Sequence, residues 1–248
     1  MRSAGELTVD TRPLHHVPAV TATAGAGQPP ARTAAGTVRT VSEHRVVAAL
    51  YDRMTATAER TVLGPRRASL LGELTGRVLD VGAGTGANLP YYRSADEVVA
   101  LEPDAAMRRR LVAKTPACPV PVTVDESGAG ELPAADGTVD AVVFTLVLCT
   151  VPDPGRALAE ARRVLRPGGW LVAIEHVLGS GRPAVWRHRL APLWSRVAAG
   201  CRLDRDTVPA IRAAGFAIDE LDEFLAGPAW GPTGQAIALR ATAAPGSG

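Results

Sequence analysis

The chain has 248 residues, 46% of them apolar and 21% charged, with a formal net charge of +2. That is ordinary globular composition at a length for one large domain or two small ones, and so small a net charge offers no nucleic-acid surface. The three cysteines, Cys118, Cys149 and Cys201, lie far apart and form neither a metal-ligand spacing nor a closed disulfide set. No apolar run approaches the ~20 residues of a membrane helix, and no signal-peptide core opens the chain. A cytoplasmic protein with no membrane or nucleic-acid partner is expected.

Residues 1–40 are Ala, Thr, Gly and Pro with almost no apolar periodicity. Such a segment buries too little apolar area to offset its ordering entropy, so a disordered tail is expected ahead of one domain at 41–244. A helical pattern begins near Ser42 and carries Val46, Val47, Leu50, Met54 and Ala58. Pro65 opens a second helix through Leu74, with Gly76 as its stop. Strands then read as Val78–Val81, Val98–Leu101, Val120–Val124, Ala141–Leu148 and Trp170–Ile174. Between them lie a helix containing Met107 and Leu111 and another over Pro154–Leu165, stopped by Pro167–Gly168–Gly169. Continuous apolar runs predict strands buried on both faces, as in a parallel sheet covered by helices. An insertion at 177–209 follows, with an amphipathic stretch Pro183–Ala199 and a short helix capped by Asp206. Phe216–Leu225 and Gln235–Thr242 close the chain as an antiparallel hairpin at the sheet edge.

The sharpest local signal is Val78-Leu79-Asp80-Val81-Gly82-Ala83-Gly84-Thr85-Gly86, which joins a buried strand to a helix. Glycines let the main chain approach a ligand, and a helix N-terminus offers free amides. The dinucleotide fingerprint needs a third glycine where Ala87 stands, a position that tolerates alanine. Nicotinamide binding therefore stays open on this loop alone. Glu102 follows at the end of the second strand, where a carboxylate meets the ribose hydroxyls of an adenosine.

VLDVGAGTGAN resembles motif I of the class I S-adenosylmethionine-dependent methyltransferases, and LEPDAAM resembles their second motif. DGTVDAVVFTLVL is similar to their fourth-strand region, and VLRPGGWLVAIEH to the motif leading into the fifth strand. The resemblance covers about residues 44–242, in the expected order. It implies an α/β, Rossmann-like fold: a seven-stranded, mostly parallel sheet with a terminal antiparallel hairpin and helices on both faces. S-adenosylmethionine is the implied cofactor and S-adenosylhomocysteine its product. On this resemblance Asp80 and the backbone of Gly82, Ala83, Gly84 and Gly86 hold the methionyl part, with Asn88 supporting the loop. Glu102 takes the ribose, with Pro103 and Asp104 beside the adenine. Ala129 and Gly130 meet the adenine through the backbone, although the usual acidic residue before Ala129 is missing. Thr145 and Leu146 line the cofactor.

Within this superfamily, FTLVLCTVPDPGRALAEARRVLRPGG, IEHV and AAGCRLDRDT resemble the alkyl-thiol S-methyltransferases. Phospholipid and quinone methyltransferases share parts of the pattern. A small-molecule thiol acceptor is expected, with a dithiol natural product as an attractive case. The alternative is oxygen or nitrogen methylation of a quinone, phenol, lipid head group or amine. His176, directly after the fifth strand, is the candidate for promoting the thiolate, or else a histidine bonded within the fold. Trp186 and Trp194 belong to the expected acceptor lid, and Tyr51 either covers the cofactor or packs in the core. Methyl transfer needs no enzyme thiol, so Cys149 and Cys201 read as structural and no metal centre is expected. His188 and Arg189 read as a solvated helix face, and the chain as a monomer or weak homodimer.

Overall fold

A computed structural model describes residues 52–53, 55–179, 181–197, 200–227 and 234–243. The expected tail at 1–40, the start near Ser42, Tyr51 and the side chain of Trp186 lie outside the described residues. Residues 52–53 and 55–58 are helical, continue through a π-helical turn at Glu59–Leu63, and lead into α1 (Gly64–Leu71) with Pro65 in its first turn.

Seven strands follow in one sheet, β1 (Thr75–Val81), β2 (Ser94–Leu101), β3 (Val122–Asp125), β4 (Val139–Thr145), β5 (Leu165–His176), β6 (Phe216–Leu225) and β7 (Gln235–Ala243). Their spatial order is β3-β2-β1-β4-β5-β7-β6. The first five run parallel, and β7 pairs antiparallel with both β5 and β6. The helices are α2 (Ala105–Lys114), α3 (Pro154–Val164), α4 (Gly181–Val197) and α5 (Thr207–Ala213). Strand order reverses between β1 and β4, so the ligand crevice of such a sheet lies beyond their carboxyl ends.

Both faces of the sheet are buried, and adjacent residues of one strand serve opposite sides. Leu79 and Val81 join Leu101, Phe144, Leu158 and Leu239 in one core, whereas Val78 joins Leu71, Tyr92, Val98 and Ile174 in the other. This is why the strands read as continuous apolar runs. Among the described residues, no helix is long and apolar enough to cross a membrane.

β1 and β2 start earlier than the sequence expectation, at Thr75 and Ser94, and β3 spans Val122–Asp125. The glycine loop leads into turns and a 3-10 helix at Leu89–Tyr91 rather than an α-helix. Three further differences have a visible cause. α1 ends at Leu71, and Gly76 lies inside β1 at φ 71°. A Cβ on Gly76 would stand 2.1 Å from the Asp140 carboxylate, which accepts the Arg77 amide at 2.7 Å. The residue is glycine to admit that carboxylate, not to stop a helix. β4 stops at Thr145 instead of Leu148: the Leu146 amide still reaches the Ile174 carbonyl of β5, but those of Val147 and Leu148 bond the Glu175 side chain. β5 starts at Leu165 and takes in Pro167 and Gly168, next to a register shift against β4 between Val139 and Ala141. A bulge is where a strand tolerates proline.

Candidate functional site

Gly82, Gly84 and Gly86 all take positive φ, at 66°, 59° and 84°. At Gly82 a Cβ would meet Val147 at 2.6 Å, so glycine there lets the loop pack under the chain leaving β4. Above Gly84 the space is open, its nearest atom 4.0 Å away, which leaves the loop accessible to a ligand. The loop is pinned from below by the Ala83 amide, which donates to the Leu101 carbonyl at 2.9 Å.

Glu102 ends just beyond β2 and is buried. Its two oxygens accept the Gly84 and Asp104 amides, each at 2.8 Å. Burial raises its pKa, while those amides and Arg108 pull the other way. Each carboxylate oxygen retains a second lone pair, so Glu102 can hold the loop and still accept from ligand hydroxyls. Asp104 in turn caps α2, accepting from Ala106 and Met107.

Beneath the loop, Asn88 donates to Asp80 at 2.7 Å and to Thr145 at 3.0 Å, and accepts from Arg67. Arg67 is itself paired with Glu59 at 3.0 Å. One polar chain thus ties the segment before α1 to β1, the loop and the end of β4. Asp80 is fully buried, and its Oδ2 makes no well-formed hydrogen bond, with the buried Tyr92 hydroxyl beside the carboxylate. Burial pushes its pKa up to about 6, against Asn88, Arg67 and Tyr92. A buried carboxylate with an under-used oxygen has room for a further donor.

On the other flank, a cavity of about 700 Å³ opens between Pro103, Ser127, Ala129, Gly130, Val151 and Arg156. Its size suits a nucleoside-like ligand. The Gly130 carbonyl accepts from Arg156 at 2.7 Å, which fixes the loop after β3.

Beyond β4 the construction changes. Leu146 sits at φ 60°, a strained conformation for a residue with a side chain, and its amide donates to the Ile174 carbonyl at 2.8 Å. Glu175, fully buried in β5, then accepts the amides of Val147 and Leu148 at 2.8 Å and of Cys149 at 3.1 Å. Burial raises its pKa, opposed by those three amides. The sequence reading passed over Glu175, although an acid inside LVAIEH was its signal: a carboxylate in a central strand has to find buried partners.

His176 ends β5, and its Nδ1 lies 4.0 Å from the Cys201 sulfur. Cys201 Sγ is also 3.8 Å from Cys149 Sγ, so the two thiols read as unrelated are neighbours across 52 residues. Cys149, His176 and Trp194 pull the Cys201 thiol below its usual value against its burial, while Cys201 and burial push Cys149 up. Trp194 packs against Cys149, Cys201 and Leu203. The Arg202 amide donates to the Cys149 carbonyl at 2.7 Å, and Arg205 donates to the Leu148 carbonyl. His188 is exposed on α4, as expected of a solvated face.

A methyltransferase domain family matches residues 79–173. The human thiol S-methyltransferase TMT1B is 35% identical over 64% of this chain and 68% of its own length. The chain belongs to the class I S-adenosylmethionine-dependent methyltransferases. Human TMT1A is likewise 35% identical, over 62% of this methyltransferase chain, which spans 65% of TMT1A, just under two thirds. A shorter match, 36% identical over 45% of this chain and 57% of its own length, is the phosphatidylethanolamine N-methyltransferase of Cereibacter sphaeroides. In fold, a methyltransferase of Thermotoga maritima superposes with a TM-score of 0.62 at 23% identity, covering 80% of this chain and 97% of its own.

The cofactor of this methyltransferase is S-adenosylmethionine, and the residues present fit it. The under-used Asp80 oxygen suits the cofactor's ammonium, the open face of Gly84 admits its chain, and the cavity beside Pro103 and Ala129 has room for its base.

Proposed function

We propose that the protein transfers the methyl group of S-adenosylmethionine to a small-molecule thiol. The observation that carries this reading is the wall formed by Cys149, His176 and Cys201 at the carboxyl ends of β4 and β5, in a chain 35% identical to two thiol S-methyltransferases. The cofactor supplies an activated methyl on a sulfonium, so the chain has mainly to align donor and acceptor. Such alignment supplies roughly 7–11 kcal/mol of the barrier.

In this reading Glu102 accepts from the ribose hydroxyls, and Asp80 balances the ammonium. Gly82, Gly84 and Gly86 let the backbone approach the methionyl part, and Ala129 and Gly130 face the base. Thr145 and Leu146 line the methyl-bearing end. A free thiol of pKa about 8.5 is only a few per cent thiolate at neutral pH, and His176 is the group placed to raise that fraction. α4 with Trp194, within 177–209, covers the acceptor. A soluble dithiol in a reducing cytoplasm suits a site with these soft side chains.

The test is mass spectrometry of the purified protein with S-adenosylmethionine and a panel of thiols, dithiols, phenols and amines. Methylation confined to thiols, and abolished by alkylating the acceptor beforehand, is the expected result. Transfer to a phenol or amine with thiols untouched overturns it.

A further inference from the structure

Cys149, His176 and Cys201 come from three separate pieces of chain: the turn after β4, the end of β5, and the segment after α4. Their ligating atoms all lie within 4.8 Å of one another. A tetrahedral zinc with thiolates at about 2.3 Å and an imidazole nitrogen at about 2.0 Å holds its sulfurs about 3.8 Å apart and sulfur from nitrogen about 3.5 Å. The observed separations are 3.8 Å between the sulfurs and 4.0 Å from the Cys201 sulfur to His176 Nδ1, with every pair within 4.8 Å, so a bound metal would draw the imidazole inward. A disulfide would need its sulfurs at about 2.05 Å and would leave the imidazole without a role.

We infer that Cys149, His176 and Cys201 form a three-ligand zinc site whose open fourth position takes the thiol that is to be methylated. The first half of this stands on the cluster itself, and the second rests on the thiol reading above.

Two protein thiolates and a neutral imidazole on a dication make a site of zero net charge. The surroundings are those of a fixed ligand set. The Cys149 amide is held by Glu175 and its carbonyl by the Arg202 amide, so the residue is tied on both sides. Cys149 and Cys201 are buried, and Trp194 and Leu203 cover them. His176 is only half-buried, so the cluster is reached from its side. Three protein ligands with one place left open is the composition of catalytic rather than structural zinc.

The chemistry balances without another reactant. Loading releases the two cysteine protons to solvent. The incoming thiol then binds the metal and loses its proton to solvent, because a coordinated thiol is deprotonated outright. Its sulfur attacks the methyl carbon as the carbon–sulfonium bond breaks, and that electron pair stays on the departing sulfur of S-adenosylhomocysteine. The neutral thioether product is a poor ligand and leaves the metal. In this scheme His176 acts as a ligand, not as a base.

The experiment uses the full chain, stripped with a chelator and reloaded with zinc or cobalt. One zinc per chain by elemental analysis, and thiolate-to-cobalt charge-transfer absorption that changes when a small thiol is added, are the expected results. Cys149→Ser and Cys201→Ser should each weaken zinc binding by more than about tenfold against a chromophoric chelator. Cys118→Ser should not, since its thiol sits apart against the Leu89 carbonyl. Retained S-adenosylmethionine binding shows that the serine variants fold. No metal uptake, equal zinc affinity in the Cys201→Ser chain, or a Cys149–Cys201 disulfide in its place overturns the site, whatever the methylation assay gives. A cobalt spectrum that no thiol alters overturns the open position. Methylation of phenols or amines by a zinc-loaded chain, with a spectrum that does respond to thiols, counts against the thiol reading alone.

Discussion

The two ends of the crevice are built on different length scales. At the cofactor end, Asp80 and Asn88 are 8 residues apart, Glu102 and Gly84 are 18 apart, and Asp104 caps its own helix. At the acceptor end, Glu175 reaches back 26 to 28 residues, Cys201 reaches 52 to Cys149, and Arg205 reaches 57 to Leu148. The glycine loop, Glu102 and α2 are therefore a nearly local object, although Asn88 also ties the loop to Thr145, 57 residues on. The Cys149–His176–Cys201 cluster, proposed as the acceptor wall, exists only once the segment after α4 has closed onto the turn after β4. Bulky change in α4 can alter the acceptor without disturbing the glycine loop, as expected of segments carried on a rigid sheet.

The sharpest way to break this division is Glu175→Ala. Three buried amides lose their acceptor at once, each costing about 1–3 kcal/mol. A fall of at least about 3 kcal/mol in denaturant-measured stability is expected, with the thiol wall lost first. A near-neutral result would mean that water or another group holds the turn.

Glu102→Ala probes the opposite end. Hydrogen bonds to a charged group are each worth about 1.5–3 kcal/mol, so calorimetry should show S-adenosylmethionine binding at least about tenfold weaker. Zinc binding should stay as it was. Unchanged cofactor affinity would move the ribose site elsewhere.

Asp80 gives a pH signature. Its folded pKa, raised to about 6, lies above the unfolded value. The stability it contributes is fully present below the unfolded pKa and is lost as pH rises through about 6, a swing of about 3 kcal/mol. Apo Asp80→Asn should therefore melt higher than the parent at pH 8, with no such gain at pH 4. Cofactor affinity of the parent should fall as pH drops below about 6, where the carboxylate meant for the ammonium is neutral. A flat profile would place that carboxylate outside the binding step.

The smallest effect belongs to neither end. Arg163 holds Glu160 at 2.7 Å and lowers its pKa to about 2. The stability from this pair is present above the unfolded pKa and lost as pH falls toward 2. It is partly solvent-screened, so Glu160→Gln should cost about 1 kcal/mol or less at pH 7, read as a small melting shift that vanishes by pH 2.

The same contrast of length scales explains what the sequence made legible. Val78–Gly86, Glu102 and the helix after it form a short encoded unit, and strand cores such as Val98–Leu101 and Trp170–Ile174 announce themselves by apolar runs. Asn88 could be placed beside the loop for the same reason. Cys149 and Cys201 looked unrelated because only the return of the chain after α4 brings them together. Leu146 at positive φ and the early end of β4 were invisible, since the cause is a carboxylate arriving from β5. Gly76 misled as a helix stop because its true neighbour, Asp140, is far along the chain.

Lys114 is the sole lysine of the chain. Its ammonium is 2.9 Å from Asp52, whose other oxygen receives the Thr85 hydroxyl of the glycine loop at 2.5 Å. Nature has thereby left one amine side chain, partly open to solvent, fastened to the loop on which the cofactor rests. An amine-directed isotope or fluorescent tag would mark one side chain besides the α-amino group, which makes Lys114 a ready reporter of how that loop moves.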